Sequence, residues 1–373
     1  MKHIGIVTWL GSGNYGTSLQ VFALYRFICN QGYDCQYISS FNKSEWGLKS
    51  FIRSKLRNFS IWEKKEQRNI RKGVDAQKLL KLRAFLNRNI DIRYIDTPRQ
   101  YKNLLADTDV FCVGSDQIWN AYYNFNPFYF LKFAGDVKRI SYASSIGTTD
   151  FPIQYKDSIK RLLNRFSHIS LRESAGCSAV ERLTGRDDIK KVLDPTFLLS
   201  AQDWISVAKQ AEIEIDVPNK YALVYLIGTN KDYVKQVEKL KQRTSIDNVI
   251  IIPAAENAEF NVEGATVYRN AAVAEFVCLI AHATWICTDS FHATAISINL
   301  NKNFTEFLRF KDTETASQNS RIYDVLSTFG LMGQLYNNDS ESWAQPINYS
   351  KIEEKLNDLR KDSSNWLIHA IES

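Results

Sequence analysis

Along the chain, short continuous apolar runs give way to stretches in which apolar positions recur every three to four residues, and each change is marked by a polar or glycine-rich turn. The run over 3–9 is apolar and β-branched, as a buried strand is, and Leu10-Gly11-Ser12-Gly13-Asn14-Tyr15-Gly16 follows it as a loop. Leu19, Phe22, Ala23 and Phe27 then fall on one helical face, and 35–39 reads as a second strand. Buried strands are predicted over 109–113, 139–144, 168–171 and 191–193, each ending in a polar tip, with a helix over 153–166. The pattern restarts after Leu199, with strands over 221–227 and 249–252 and helices over 231–242 and 271–281. An apolar run ending in Trp285-Ile286-Cys287 passes through Thr288-Asp289-Ser290-Phe291-His292 into a helix faced by Ala293, Ile296 and Leu300. Helices over 319–331 and 350–371 close the chain. Repeated strand–tip–helix units predict an α/β fold of two doubly wound, Rossmann-type parallel sheets. The expected division is 1–199, 200–348, and a last helix within 349–373 packing back across the junction.

Composition narrows this picture. The 373 residues suffice for two domains, and 45% apolar with 13% aromatic content excludes disordered and collagen-like classes. No apolar stretch reaches the roughly 18 residues of a membrane span, and the first strand is too short for a signal peptide, so a cytoplasmic protein is expected. The six cysteines are scattered without a CxxC, which points to core thiols and away from a disulfide or zinc framework. Net charge is +6, yet between Lys49 and Gln100 there are 15 basic and five acidic residues, a local excess of +10. The remainder is slightly acidic, so charge supplies no argument for nucleic acid. Within 46–72, Leu48, Phe51, Ile52 and Leu56 share a face ringed by Lys49, Arg53, Lys55 and Arg57. That pattern suits a helix on an anionic membrane surface, or a solvated helix packed on its own domain.

The candidate chemistry sits at strand tips. In Thr288-Asp289-Ser290-Phe291-His292 a carboxylate, a hydroxyl and an imidazole occupy a strand-to-helix turn, whose free N–H groups and helix dipole favour an anion. Read alone, Asp289 or Ser290 is equally a helix cap and His292 a half-buried ring. Gly114-Ser115-Asp116-Gln117 places Asp116 at the carboxyl edge of the first sheet, where ligands of open α/β sheets bind. The glycine-rich loop is not GxGxxG, so a dinucleotide site is not indicated. No metal-ligand cluster is visible.

The ordered set of tips resembles the polysaccharide pyruvyl transferase family along nearly the whole chain. It comprises Asn14-Tyr15-Gly16 with Leu19-Gln20, Gly114 to Asn120, Tyr142-Ala143-Ser144-Ser145-Ile146-Gly147, Arg172-Glu173-Ser174, Asp194-Pro195-Thr196, Thr288 to His292, and Asn319-Ser320-Arg321-Ile322. The resemblance implies a GT-B-like fold of two Rossmann-type domains facing a cleft. It also implies transfer of a pyruvyl group from phosphoenolpyruvate to sugar hydroxyls, giving a ketal and phosphate, with no other cofactor. Acceptors in the family are often lipid-linked intermediates of capsule, exopolysaccharide or cell-wall polymers, which would bring the protein to the inner membrane face. One position departs: better-known members carry Arg-Leu-His-Gly where this chain has Ser290-Phe291-His292-Ala293.

Such a donor carries a phosphate and a carboxylate, and its site needs cations and oriented N–H groups. The expected roles are His292 at the leaving phosphate and Asp116 as base toward the acceptor hydroxyl, with Asp289, Ser290, Arg172 and Arg321 at the donor. Arg309 and Lys311 are further candidates for the missing guanidinium. Asn14, Tyr15 and Gln117 are expected on the acceptor side. Asp194-Pro195-Thr196 reads as a structural turn, and the proton donor to the methylene carbon is not identified. The same fold class also hosts sugar-nucleotide glycosyltransferases and could host a catalytically silent glycan- or partner-binding member.

Overall fold

The computed structural model describes residues 1–10, 13–47, 51–52, 76–254, 262–310 and 318–373. Most of the basic segment (48–50 and 53–72), Gly11, Ser12 and Lys311 lie outside the described residues. Contacts divide the chain into two compact units, the first made of 1–12, 20–198 and 362–373, the second of 13–19 and 199–361.

The first unit carries seven parallel strands: β1 His3–Val7, β2 Asp34–Ile38, β3 Ile92–Arg93, β4 Val110–Val113, β5 Lys138–Ser144, β6 His168–Leu171 and β7 Lys190–Lys191. Their order is β3-β2-β1-β4-β5-β6-β7, so the direction of winding reverses between β1 and β4. The four residues of β4, Val-Phe-Cys-Val, are all buried, as expected of a central parallel strand covered on both faces. Among the described residues, the longer helices of this part of the chain are α1 Tyr15–Asn30, α2 Ala76–Asn89, α3 Pro98–Asp107, α4 Lys156–Leu163 and α5 Ser174–Thr184. α3 starts where Thr97 accepts from the Gln100 N–H and Pro98 occupies the first turn, a position that lacks an intrahelical partner for its nitrogen anyway. α5 ends at Gly185 with φ of 78°, a left-handed residue that closes its last turn.

The second unit repeats the plan with α6 Ala201–Ala208, β8 Ala222–Tyr225, α7 Tyr233–Thr244, β9 Val249–Ile251, β10 Thr266–Val267, α8 Val273–His282, β11 Trp285–Thr288, α9 Phe291–Asn299, β12 Phe304–Glu306 and α10 Ser320–Phe329. Its parallel strands run β10-β9-β8-β11-β12, reversing between β8 and β11. α6 opens with a capping box, in which Ser200 and Asp203 each satisfy the other's main-chain N–H. The first turn of α1 is grouped with the second unit and the rest with the first; α11, Ser350–Glu372, is likewise shared.

The expected α/β class and doubly wound parallel sheets are present. The strand–turn–helix around Asp289 is β11 followed by α9. The two-residue strands β3 and β10 have no period to read, β7 lies at 190–191 where a buried strand was expected over 191–193, and helices α3, α5 and α6 went unpredicted although Thr97 and Ser200 are ordinary cap signals. Among the described residues no helix is long and apolar enough to cross a membrane.

Candidate functional site

In the second unit the site begins with Asp289. Its carboxylate does not cap α9. It turns back to the neighbouring strand, accepting from the main-chain N–H of Ile227 and Gly228, each at 2.7 Å, and from the Tyr233 hydroxyl at 2.8 Å. Three donors on one carboxylate form a strong, directional clamp, since hydrogen bonds to a charged acceptor are worth about 1.5–3 kcal/mol each. Burial, reinforced by the Asp289 charge, raises the Tyr233 phenol well above its ordinary value, so it remains a donor. Gly228 is required by this geometry, because a Cβ there would stand 2.6 Å from the Tyr233 hydroxyl and 2.8 Å from Arg309 Cγ.

Arg309 follows β12 and grips the same turn, donating from Nη2 to the Asp289 carbonyl at 3.1 Å while Nε lies 3.5 Å from Asp289 Oδ2. Its side chain remains 22% exposed. The guanidinium is therefore anchored on a carboxylate whose other bonds are already made, with its Nε buried.

Ser290 is the N-cap residue of α9 in extended conformation, but its side chain makes no cap bond; its N–H donates to Thr288 Oγ1 at 3.0 Å. His292, in the first turn, is 7% exposed and packs edge-on to Phe291 with ring centres 5.3 Å apart. Against its other side lies Gly16, where a Cβ would come within 2.2 Å of Nδ1. The start of α1 thus walls the imidazole. It is held there by Asn14, whose Oδ1 accepts from the Gly16 N–H at 2.8 Å, and by Tyr15, whose hydroxyl donates to the Ala271 carbonyl at 2.7 Å. Tyr15 also stacks on Phe276 with ring centres 4.4 Å apart. Arg321 is buried at the start of α10 and donates to Gln318 Oε1 at 2.7 Å.

Glu306, which the sequence reading passed over, ends β12 in register with Thr288 and is 0% exposed. Its one legible signal is a carboxylate closing an otherwise uncharged strand.

In the first unit the polar tips meet at the carboxyl ends of β4 and β6. Arg172 donates from Nε to Glu173 and from Nη1 to Asp194, both at 2.8 Å, and is 3% exposed. Burial works against its charge, but Glu173, Asp194 and Asp116 outweigh that and raise its pKa. Ser115 Oγ donates to the same Asp194 oxygen at 2.9 Å, and Thr196 donates to the other oxygen from its N–H and hydroxyl. Asp116 is buried in a left-handed conformation with φ of 60°, and its carbonyl accepts from Ile118 and Ser145. Gln117 accepts from Asn120 Nδ2 at 2.7 Å and lies over Gly147, where a Cβ would be 2.2 Å from Oε1. Gln20 braces the tip, donating to Thr8 and accepting from the Ser115 N–H, both at 3.0 Å.

The expected donor-side residues thus fall in both units. Asp289, Ser290 and His292 share one turn, to which Arg309 is bound. Arg172 belongs to the first unit, beside Asp116. Asn14 and Tyr15, expected on the acceptor side, are grouped with the second unit around His292.

The family model described as polysaccharide pyruvyl transferase matches residues 14–307. Among solved structures, the chain is similar to a UDP-GlcNAc 2-epimerase from Neisseria meningitidis bound to UDP-GlcNAc, at 12% identity and a TM-score of 0.51, covering 100% of this chain and 99% of that one. It is similar also to a glycosyltransferase from Rickettsia africae, at 12% identity and a TM-score of 0.50, covering 99% of this chain and 93% of that one. At such identity the likeness is one of fold, and it places the chain among GT-B-like proteins. A search of curated proteins finds no significant match.

Proposed function

The chain belongs to the polysaccharide pyruvyl transferase family, and from that premise we propose that it transfers a pyruvyl group from phosphoenolpyruvate to two hydroxyls of a saccharide, forming a ketal and releasing phosphate. The observation that carries the reading is the turn after β11, where Asp289 anchors Arg309 and the start of α1 walls His292. A guanidinium on a partly exposed side chain, whose partner carboxylate is already hydrogen-bonded elsewhere, is suited to a phosphate or carboxylate. The N-terminus of α9 adds a favourable dipole.

In this reading Arg309 and the first turn of α9 hold the donor, and His292 compensates charge at the departing phosphate. A proton adds to the methylene carbon, and the adjacent carbon takes up one acceptor hydroxyl. The bond from that carbon to the phosphate oxygen then breaks, its electron pair departing on phosphate, and the second hydroxyl closes the ketal, each hydroxyl giving up its proton. Asp116 is our candidate base toward the acceptor, with Gln117 beside it. We assign Arg172 to organising that tip, because two carboxylates already match its charge. Arg321, already bonded to Gln318, is assigned a supporting place at the start of α10.

The experiment is incubation with phosphoenolpyruvate and a panel of glycosides, following inorganic phosphate and product mass. Acceptor-dependent phosphate release with a pyruvylated product is expected. Turnover of a sugar nucleotide instead would favour a glycosyltransferase, and no turnover of either a silent binding member. We further propose a lipid-linked acceptor, reached through the basic segment over 46–72. Each cation near an anionic surface contributes about 1 kcal/mol and is screened by salt. Salt-sensitive co-flotation with anionic liposomes is expected, and absence of flotation at low salt would remove that part.

A further inference from the structure

The Thr294 hydroxyl stands between two oxygens. It lies 3.0 Å from the Ser290 carbonyl, and it is hydrogen-bonded to Glu306 Oε2. A hydroxyl has one proton to give, while a main-chain carbonyl and an ionised carboxylate only accept. Both contacts become full hydrogen bonds only if Glu306 brings a second proton, donating from Oε2 to Thr294 as Thr294 donates to Ser290. We propose that Glu306 is a positioning residue that stays protonated at neutral pH, and that the chain Glu306–Thr294–Ser290 fixes the turn presenting His292 and the α9 N-terminus to an anionic donor. The proton count stands by itself; the donor rests on the function proposed above.

The surroundings agree. Glu306 is 0% exposed, and Oε1 has no hydrogen-bond partner among the described residues, a costly arrangement for an ionised carboxylate. Burial is the main cause that pushes its pKa well above the ordinary 4.5; the Thr294 bond opposes it, the Asp289 charge adds to it, and Arg309 opposes it. Among the described residues, the other charged or titratable groups at this edge are Asp289 at the end of β11, Arg309 after β12, Tyr225 at the end of β8, Tyr233 on α7, Tyr336, whose N–H donates to the Glu306 carbonyl, and His292 on α9, two residues before Thr294. Ionisation of Glu306 would add a second negative charge beside Asp289, draw on Arg309, and turn the Thr294 hydroxyl away from Ser290. Each of these effects weakens the hold on an anion. Donor affinity therefore falls as pH rises through the raised pKa of Glu306.

Two measurements on the full-length protein test this. The first is infrared difference spectroscopy of wild type against Glu306→Gln, looking for the carbonyl band of a protonated carboxyl at neutral pH. The second compares wild type, Glu306→Gln, Glu306→Ala and Thr294→Val by amide hydrogen exchange over 291–295 and by KM for phosphoenolpyruvate against pH. The amide of Glu306→Gln keeps a donor toward Thr294. It should preserve exchange protection and KM within a few-fold, and remove the alkaline rise in KM. Glu306→Ala and Thr294→Val should lose protection locally and raise KM about tenfold, the equivalent of one buried hydrogen bond. Absence of the carboxyl band overturns the protonation. Equal protection in all four proteins, or a Glu306→Gln protein as impaired as Glu306→Ala, overturns the positioning role. The band and the exchange data need no turnover, so they decide the matter even if phosphoenolpyruvate is not the donor.

Discussion

The carboxyl edges of the two sheets hold the same chemical pair, an arginine beside a carboxylate, in opposite balance. In the first unit Arg172 is enclosed, with Glu173 and Asp194 each 2.8 Å away and nothing of consequence exposed. Two carboxylates face one guanidinium, and Asp194 also serves Ser115 and Thr196. In the second unit the carboxylate is the member already satisfied. Asp289 takes two N–H groups and a phenol, and Arg309, 22% exposed, retains capacity for another anion. An arginine whose charge is over-matched fixes a tip, whereas one whose partner is occupied elsewhere can hold a ligand. This difference underlies the assignment of the donor to the second unit and the acceptor to the first.

The largest expected effect is on stability. Arg172→Leu would leave Glu173 and Asp194 buried without their cation, which costs about 3–5 kcal/mol. Chemical unfolding should register that loss, and a value under about 1 kcal/mol would show that the first edge does not depend on its ion pairs. His292→Ala is the counterpart in the second edge. It should lower pyruvyl transfer by about 10²-fold or more, as expected when a group compensating charge at a leaving phosphate is lost. The ring is 7% exposed and packed on Gly16, so circular dichroism must accompany the assay. Phosphate release within a few-fold of wild type would take the imidazole out of the mechanism.

A smaller effect distinguishes the edges by pH. The folded pKa of Glu306 lies above its ordinary 4.5, because burial disfavours its charge. The stability linked to its proton is complete below that ordinary value and is lost as pH rises from it through the folded pKa. The slope approaches about 1.4 kcal/mol per pH unit for one proton. Unfolding free energies measured over that range should fall in wild type and less in Glu306→Gln. Identical slopes would mean that Glu306 ionises normally.

How far the sequence shows this depends on the range of the interaction. The alternation of apolar runs and helical faces is local, and it revealed both parallel sheets and the turn at Asp289, Ser290 and His292. Cap signals at Thr97 and Ser200 are local too and were there to be read. The orientation of Asp289 is not local: its partners lie 56 to 62 residues upstream, and a carboxylate before a helix looks the same whether it caps that helix or reaches across the sheet. The grouping of Asn14 to Gly16 with His292 depends on the fold bringing together positions some 276 residues apart, which no periodicity encodes. The match of Arg172 to two carboxylates was half visible in its neighbour Glu173, while Asp194 is 22 residues away.

The division of labour between the edges is tested most directly by titrating phosphoenolpyruvate calorimetrically into wild type and Arg309→Gln. Asp289 retains its other three donors in this variant, so the fold should lose about 1–3 kcal/mol, which chemical unfolding monitors alongside the titration. Binding by wild type, with affinity lowered tenfold or more in Arg309→Gln, is the predicted result. Equal binding by the two proteins would contradict the placement of the donor at the second edge.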